Sequence, residues 1–444
     1  MAEKPTKATI FSYRVGFGDC FLMRFHYPDR DRHLLIDFGT TGIPDDEEKD
    51  LMVRVATDIK TRCGNRLEAV VATHRHADHI SGFATKADGS GSGDVIATID
   101  IGLVIQPWTE APDAEEQSLG PIVSAPGRSL AARKQSLQAM HAMAGRVVQM
   151  VEQDKGKALR RASAEVRDQL GFIGRDNVKN LSAVENLMNE RNESSRMSGK
   201  RVYAWHGSDT GLEALLPGVS TRVLGPPTLR QTDTIRKQRS RDPDEFWQFA
   251  LKGMEAEKSF GETGDKTRLF PGHPTIPGSK LPMEVRWIAK RLDEVRGSQF
   301  LAMVTALDQQ MNNTSLILLF EVGGKKLLFP GDAQIENWRF ALSQPEIVAL
   351  LADVDLYKVG HHGSLNATPK TLWAGFTKKS KDEDKEDRLT TLLSTMPGKH
   401  GSEKARTEVP RQTLLKELEE LSDLHSTHLM EPGPLFQEVT IDFD

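Results

Sequence analysis

Three histidines and an aspartate crowd into six residues, His74-Arg75-His76-Ala77-Asp78-His79, directly after the apolar run Leu67-Glu68-Ala69-Val70-Val71-Ala72. A short apolar run of this kind reads as a buried strand, and the cluster is then the loop at its C-terminal end. Imidazole and carboxylate are ligands suited to zinc, manganese or iron. On an extended loop His74 and His76 point the same way, so both can hold one ion. Asp78 and His79 lie one step further and can serve a second. A polar loop of solvated histidines is the bland alternative, and four potential ligands at this spacing argue against it.

The flanking pattern predicts a β-rich frame. Residues 8–38 hold three strand-like stretches, Ala8–Val15, Cys20–Tyr27 and His33–Asp37, with turn chemistry at Pro28-Asp29-Arg30-Asp31. Leu51, Val55 and Ile59 at i, i+4 and i+8 predict a helix over 45–62. Ala87–Gly93 is Gly/Ser-rich and reads as flexible, and Ile99–Gln106 reads as a further strand. The character then changes. Residues 111–200 hold few β-branched runs, and Leu130, Leu137, Met140, Val147, Val148 and Val151 keep helical spacing. Residues 201–227 return to strand character, whereas 228–300 are charged and mainly helical, with a Gly/Pro-rich loop over Gly261–Lys280. The expected organisation is an α/β core of residues 1–110 and 301–444, with 201–227 contributing strands. Two mainly helical insertions, 111–200 and 228–300, interrupt it.

Composition narrows the class. A chain of 444 residues can bury a large core, or two. No apolar run approaches the roughly 20 residues that span a bilayer, and the polar start, Met1 to Thr9, lacks a signal-peptide core. Cys20 and Cys63 are too few for a disulfide framework, so a reducing cytoplasm is the expected location, with no membrane partner. The net charge of −5 excludes a global basic field, but the charge is uneven: residues 120–201 carry 15 Lys and Arg against 8 Asp and Glu. A basic helical segment, with Arg160 and Arg161 as substrate contacts, could steer a polyanion toward a site. A solvated helical face would explain the same charge.

Further motifs stand in order along the chain. They are Leu34-Leu35-Ile36-Asp37-Phe38-Gly39-Thr40, Leu327-Leu328-Phe329-Pro330-Gly331-Asp332-Ala333 and Leu356-Tyr357-Lys358-Val359-Gly360-His361-His362-Gly363-Ser364. Together with His-x-His-x-Asp-His they resemble the metallo-β-lactamase superfamily. The resemblance implies an α/β fold, the αβ/βα four-layer sandwich, here with two mainly helical insertions. More narrowly, Val15-Gly16-Phe17-Gly18-Asp19-Cys20, Asn312-Asn313-Thr314-Ser315-Leu316 and His361-His362-Gly363-Ser364 resemble the hydrolase domain of ComEC-type competence proteins and their soluble relatives. The resemblance covers roughly residues 8–108, 201–227 and 310–442. Asp332 and His361 are 29 positions apart, which leaves no room for the insertion domain that nuclease-type relatives place after this aspartate.

By that resemblance, His74 and His76 hold the first of two divalent ions, Zn or Mn. Asp78, His79 and one of His361 and His362 hold the second, and Asp332 bridges. Such a pair traps a hydroxide and lowers its pKa toward neutrality; Asp78 could orient it and shuttle its proton. Asp37 and Asp19 read as structural carboxylates, Asp19 in a turn or hydrogen-bonded to a metal histidine. The family's further histidine ligand is missing. Gln310-Met311-Asn312-Asn313 offers amides instead, which suit harder ions such as manganese, and Asn313 is expected on the substrate side.

Successive residues at a strand end point opposite ways, so one of His361 and His362 ligates while the other supports it or meets substrate. Ser364 follows as a donor for a phosphate oxygen, or as a cap for the next helix. His400 resembles a late loop histidine near the substrate, although the family's His-Pro pair reads Val409-Pro410 here. His141, His206 and His273 read as surface or core histidines. The expected activity is that of a metal-dependent phosphodiesterase or nuclease acting on nucleic acid. Hydrolysis of small esters, lactones or phosphocholine-type diesters is the alternative. A non-catalytic protein with the insertions as a docking surface for a protein partner is the third reading.

Overall fold

The computed structural model describes residues 4–111, 181–188, 197–232, 314–364, 368–399 and 408–443. The chain divides into two compact units. One comprises Met1–Leu130, Lys179–Ile235 and Gln310–Asp444; the other, Ala131–Val178 and Arg236–Gln309, lies outside the described residues. Of the two expected insertions, the described residues include 111, 181–188 and 197–200 of the first, with a helix at Leu181–Met188, and 228–232 of the second.

The first unit is a mixed α/β structure with two sheets. The first sheet contains β1 (Lys7–Tyr13), β2 (Cys20–His26), β3 (Asp31–Phe38), β4 (Arg66–Val71), β5 (Asp100–Pro107), β6 (Lys200–Ala204) and β13 (Phe436–Asp442), in the order β13-β1-β2-β3-β4-β5-β6. The second contains β7 (Ser220–Gly225), β8 (Ile317–Val322), β9 (Lys325–Phe329), β10 (Leu356–Lys358), β11 (Thr390–Leu393) and β12 (Asp423–Ser426), in the order β12-β11-β10-β9-β8-β7. Each sheet changes character partway across. Strands β13, β1, β2 and β3 pair antiparallel, and β3 to β6 pair parallel. Likewise β7, β8 and β9 pair antiparallel, and β9 to β12 pair parallel.

Period-2 alternation divides the apolar residues between two faces. Leu34 and Ile36 of β3 share one core cluster with Leu318 and Phe320 of β8 and Phe329 of β9. That cluster draws on both sheets. The alternate residues Ile317, Leu319 and Leu328 join a second cluster with helices on the other face. There they meet Trp338 in a helix at Ile335–Leu342, Leu351 in one at Pro345–Leu351, Leu372 in one at Lys370–Gly375, and Leu418 in one at Gln412–Leu421. Strands buried on both faces read as near-continuous apolar runs, which is what β4, β8 and β9 are. The one buried charge in β4, Glu68, accepts from the His33 backbone N–H at 2.7 Å and pairs with Arg30 at 2.8 Å. A buried carboxylate is tolerable only with such partners.

Two local expectations need correction. The helix expected over 45–62 begins at Leu51. Asp46 and Glu47 fold back onto Arg14, at 2.7 and 3.3 Å, instead of opening the helix. The Gly/Ser-rich stretch to Gly93 is not wholly irregular, because a helix runs from Ser92 to Ile96. The Asp94 carboxylate starts it by accepting from the Gly91 N–H at 3.0 Å and the Lys86 N–H at 2.9 Å.

Candidate metal centre

The motif loops leave the C-terminal ends of the parallel strands. Asp37 ends β3, the histidine loop follows β4, Asp332 follows β9, His361 and His362 follow β10, and Ser394 follows β11. Close backbone approach locks the loops together. A Cβ on Gly331, whose φ is +54°, would lie 2.7 Å from the Thr73 Cβ. A Cβ on Gly39 would lie 2.5 Å from the Ala77 carbonyl and the His79 nitrogen. Glycine is the residue that permits both contacts. The loop before β8 is fixed to the same place, since the Leu316 N–H donates to the Thr73 carbonyl at 2.9 Å.

The expected ligands meet there in two overlapping groups. Asp78, His79, Asp332 and His362 form one, and His74, His76 and Asp78 the other; the ligand atoms within each lie within 4.8 Å of one another. Asp78 belongs to both groups. His79 Nε2 lies 3.0 Å from Asp332 Oδ2, and His362 Nε2 lies 3.0 Å from Asp78 Oδ2 and 3.8 Å from Asp332 Oδ2. His74 Nε2 lies 3.0 Å from His76 Nδ1, so the two rings do converge. His74 and His79 are buried, while His76 and Asp78 are partly open.

Of the consecutive pair, His362 joins the four-residue group. His361 is set back, with Nε2 4.0 Å from Asp332 Oδ2, and its backbone N–H donates to Asp332 Oδ1 at 3.0 Å. The pair does not continue the strand. Both residues have positive φ, 44° and 52°, so a left-handed turn, not strand alternation, separates the rings. Each such residue costs about 1–3 kcal/mol. Ser364 is buried in the same turn, with its N–H donating to the His361 carbonyl at 2.8 Å. Among the described residues the next helix starts at Lys370, with Pro369 and not Ser364 at its N-cap.

Carboxylate and carbonyl partners assign the ring protons, since these oxygens can only accept. His362 Nδ1 meets the Ser394 carbonyl at 3.0 Å, so Nδ1 carries hydrogen. His79 Nδ1 meets Asp37 Oδ2 at 2.8 Å, with the same consequence. Asp37 also accepts from the Thr73 N–H and hydroxyl, each at 2.7 Å. The Thr73 hydroxyl, having donated to Asp37, is left to accept from His74 Nδ1 at 3.2 Å. Asp37 thereby sets two imidazoles, one directly and one through Thr73. The Nε2 atoms of His74, His79 and His362 all face the cluster, and those of His79 and His362 would present lone pairs to a cation that displaced their protons.

The donor set fits a divalent cation. His79 Nε2 and Asp332 Oδ2 are buried and have no aligned hydrogen bond, although they face each other at 3.0 Å. Two acceptors at that distance repel unless a proton or a cation sits between them. Ligands held at 2.0–2.2 Å around one tetrahedral ion lie roughly 3–3.5 Å apart, as these do. Charge points the same way. Asp19, Asp37, Asp78 and Asp332 gather four carboxylates, against one buried ammonium, Lys358, among the described residues.

Without an ion, protons carry the load. Burial is the largest influence and pushes His79 and His362 down, but the surrounding carboxylates, Asp332 foremost, together outweigh it and hold both above the usual imidazole range. Burial is the largest influence and pushes Asp78 and Asp332 up, but the neighbouring histidines, His79 foremost and then His362, together outweigh it and hold both well below the usual carboxylate range. Burial and the charges of His79 and His76 hold His74 well below its usual value, which keeps it a neutral ligand.

Some members of this site carry no expectation from the sequence. Lys358 is buried at the end of β10 and pairs with Asp19. A lysine inside the apolar run Leu356-Tyr357-Lys358-Val359 was the available signal. Thr73 and Ser394 act through hydrogen bonds that no spacing announces. His206 takes no part; its Nδ1 meets the Leu224 carbonyl at 3.0 Å and its ring lies against Phe340. Asn313, His400, Arg160 and Arg161 lie outside the described residues, as do His141 and His273.

Residues 13–88 match the family model of the metallo-beta-lactamase superfamily. The match contains the histidine loop and ends well before Asp332 and His362. No curated protein matches the chain. Members of that superfamily are mostly hydrolases that bind divalent metals, so the match and the cluster together suggest a metal-dependent hydrolase. Among the described residues, no helix is long and apolar enough to cross a membrane.

Proposed function

We propose that the chain is a metal-dependent phosphodiesterase or nuclease of the ComEC-like type, built on an αβ/βα four-layer sandwich. The observation that carries the hydrolase reading is the pair of ligand groups joined at Asp78. His74, His76 and Asp78 would hold one divalent ion, Zn or Mn, and Asp78, His79, Asp332 and His362 the other. Bound there, two ions would supply Lewis acidity and a nucleophile at neutral pH. Asp37 and Ser394 hold a ring proton on Nδ1 of His79 and His362, so Nε2 is the nitrogen left for the ions. Asp78, partly open to solvent, stands where it can orient a water and accept its proton.

The phosphodiester preference rests on sequence: asparagines where relatives carry a histidine ligand, and the basic stretch of residues 120–201. Arg160 and Arg161 would then contact phosphates of the polymer, and Asn313, Ser364 and His400 would contact the substrate. The test is a substrate panel with Mn²⁺ or Zn²⁺, comprising plasmid and single-stranded DNA, a chromogenic phosphodiester, a carboxylic ester, a lactone and a phosphocholine ester. Cleavage of DNA and the diester is expected. DNA binding should fall steeply with salt, because each phosphate contact releases counterions. Reversing Arg160 and Arg161 should weaken DNA binding and spare the small diester. Turnover of only the lactone or phosphocholine ester would overturn the polymer reading, and inertness of the whole panel would overturn the hydrolase.

A further inference from the structure

The two oxygens of Asp332 occupy different surroundings. Oδ2 faces the ligand group, 3.0 Å from His79 Nε2 and 3.8 Å from His362 Nε2. Oδ1 faces away from it, accepting from the His361 N–H at 3.0 Å and lying 3.6 Å from Lys358 Nζ. Lys358 is 2% exposed, and its three donors have three oxygens around them. It pairs with Asp19 Oδ2, donates to the Gly331 carbonyl at 3.3 Å, and approaches Asp332 Oδ1.

Burying an ammonium is strongly unfavourable unless its partners offset the lost hydration. Neutralising Asp19 alone would need no contact with the Gly331-Asp332 loop, yet Lys358 reaches both residues of that loop. We propose that Lys358 is a positioning residue that restricts Asp332 to ligation through one oxygen. It rests on the metal-centre reading above. With Oδ1 bonded by the His361 N–H at 3.0 Å and drawn outward by the Lys358 ammonium at 3.6 Å, turning both oxygens toward one cation is disfavoured. A coordination position therefore stays open for water or substrate. Lys358 also adds a positive charge beside the cations, so it keeps the site open at some expense of metal affinity.

Cobalt(II) alone is a sufficient probe, because its visible absorption is strong at four-coordinate sites and weak at six-coordinate ones. Lys358→Met keeps the length of the side chain and removes its charge. We expect this variant to bind cobalt on the order of tenfold more tightly in chelator competition, since a like charge has left the site. Its visible band should weaken as Asp332 turns both oxygens inward. A purely structural lysine would give the opposite result, with affinity falling along with thermal stability.

The double variant Asp19→Asn/Lys358→Met removes the buried pair without changing net charge. It should keep the parent's affinity and still show the weakened band, and it decides the matter if the single variant does not fold. A parent protein that binds no cobalt would defeat the metal-centre reading itself. A parent that binds cobalt, with an unchanged band in both variants or in the one that folds, would defeat the role of Lys358 alone.

Discussion

Asp37→Asn should separate metal binding from folding. Asp37 accepts three hydrogen bonds, from the Thr73 N–H, the Thr73 hydroxyl and His79 Nδ1, and it is 1% exposed. An asparagine can keep its oxygen toward the Thr73 N–H. Its NH₂ then replaces Oδ2 and faces the Thr73 hydroxyl and His79 Nδ1, donating to both. His79 must move its proton to Nε2. Thr73 now donates to His74 Nδ1, and His74 must move its proton to Nε2 as well. Both metal-facing nitrogens are blocked, while the count of hydrogen bonds is unchanged. At a pH alkaline enough to leave the apo His79 neutral, apo stability should shift by no more than about 1 kcal/mol, the net worth of one hydrogen bond. Metal affinity should fall about 10- to 100-fold, as when other partners of metal-bound histidines are lost, or roughly 1.4–2.8 kcal/mol. Melting in chelator measures the first quantity, and competition against a fluorescent chelator the second. If the variant binds metal within about twofold of the parent, the proton assignment is wrong. If apo melting falls as far as affinity does, Asp37 serves folding instead.

Other changes probe the frame. Asp332→Ala should lower retention of the ion assigned to Asp78, His79 and His362 after dialysis, read by elemental analysis; full retention would remove Asp332 from the ligand set. Gly331→Ala should destabilise by roughly 1–3 kcal/mol from its positive φ alone, with more from the contact on Thr73, and denaturant melts should show it. Acid should weaken the fold through His33, far from the metal loops. Burial holds its pKa at about 4, and its Nε2 accepts from Arg24 Nε at 3.2 Å, which requires the neutral ring. The unfolded chain therefore takes up the proton first. The contribution is complete above about pH 6.5, declines as pH falls toward 4, and amounts to at most roughly 3 kcal/mol. His33→Gln, which can still accept that bond, should flatten this part of the stability profile.

Much of the site was legible because ligands at strand ends keep short, fixed spacings. His74, His76, Asp78 and His79 come from one loop, and the Gly331-Asp332 and His361-His362 motifs each end an apolar strand. What was hidden belongs to longer distances. Which of His361 and His362 faces the cluster depends on two left-handed residues, and strand alternation carries no information about a turn. Lys358 looked like an interruption in an apolar run because its partner, Asp19, lies more than 300 residues earlier. Ser394 orients His362 with a backbone carbonyl, which every residue possesses and no side chain advertises. The start of the first helix failed for a similar reason. Asp46 and Glu47 are ordinary first-turn residues, and only the fold brings Arg14 to them.

Topology explains why such distant residues can meet. Parallel pairing puts consecutive strand ends on one edge, where ligands collect in α/β folds. Here β3 and β4 do this in one sheet, and β9, β10 and β11 in the other. Antiparallel pairing across those positions would have sent alternate loops to opposite edges and parted Asp37 from His79, or Asp332 from His362. The core cluster shared by the two sheets brings both edges to the same place. Gathering Asp19, Asp37, Asp78 and Asp332 there is costly for an apo chain, which must protonate His79 and His362 to offset the charge. A divalent cation would take over that role and release those protons. Metal affinity and stability of this edge are thus linked quantities. The apolar strands specify the frame with or without a cation; the geometry of their ends is what a cation would stabilise.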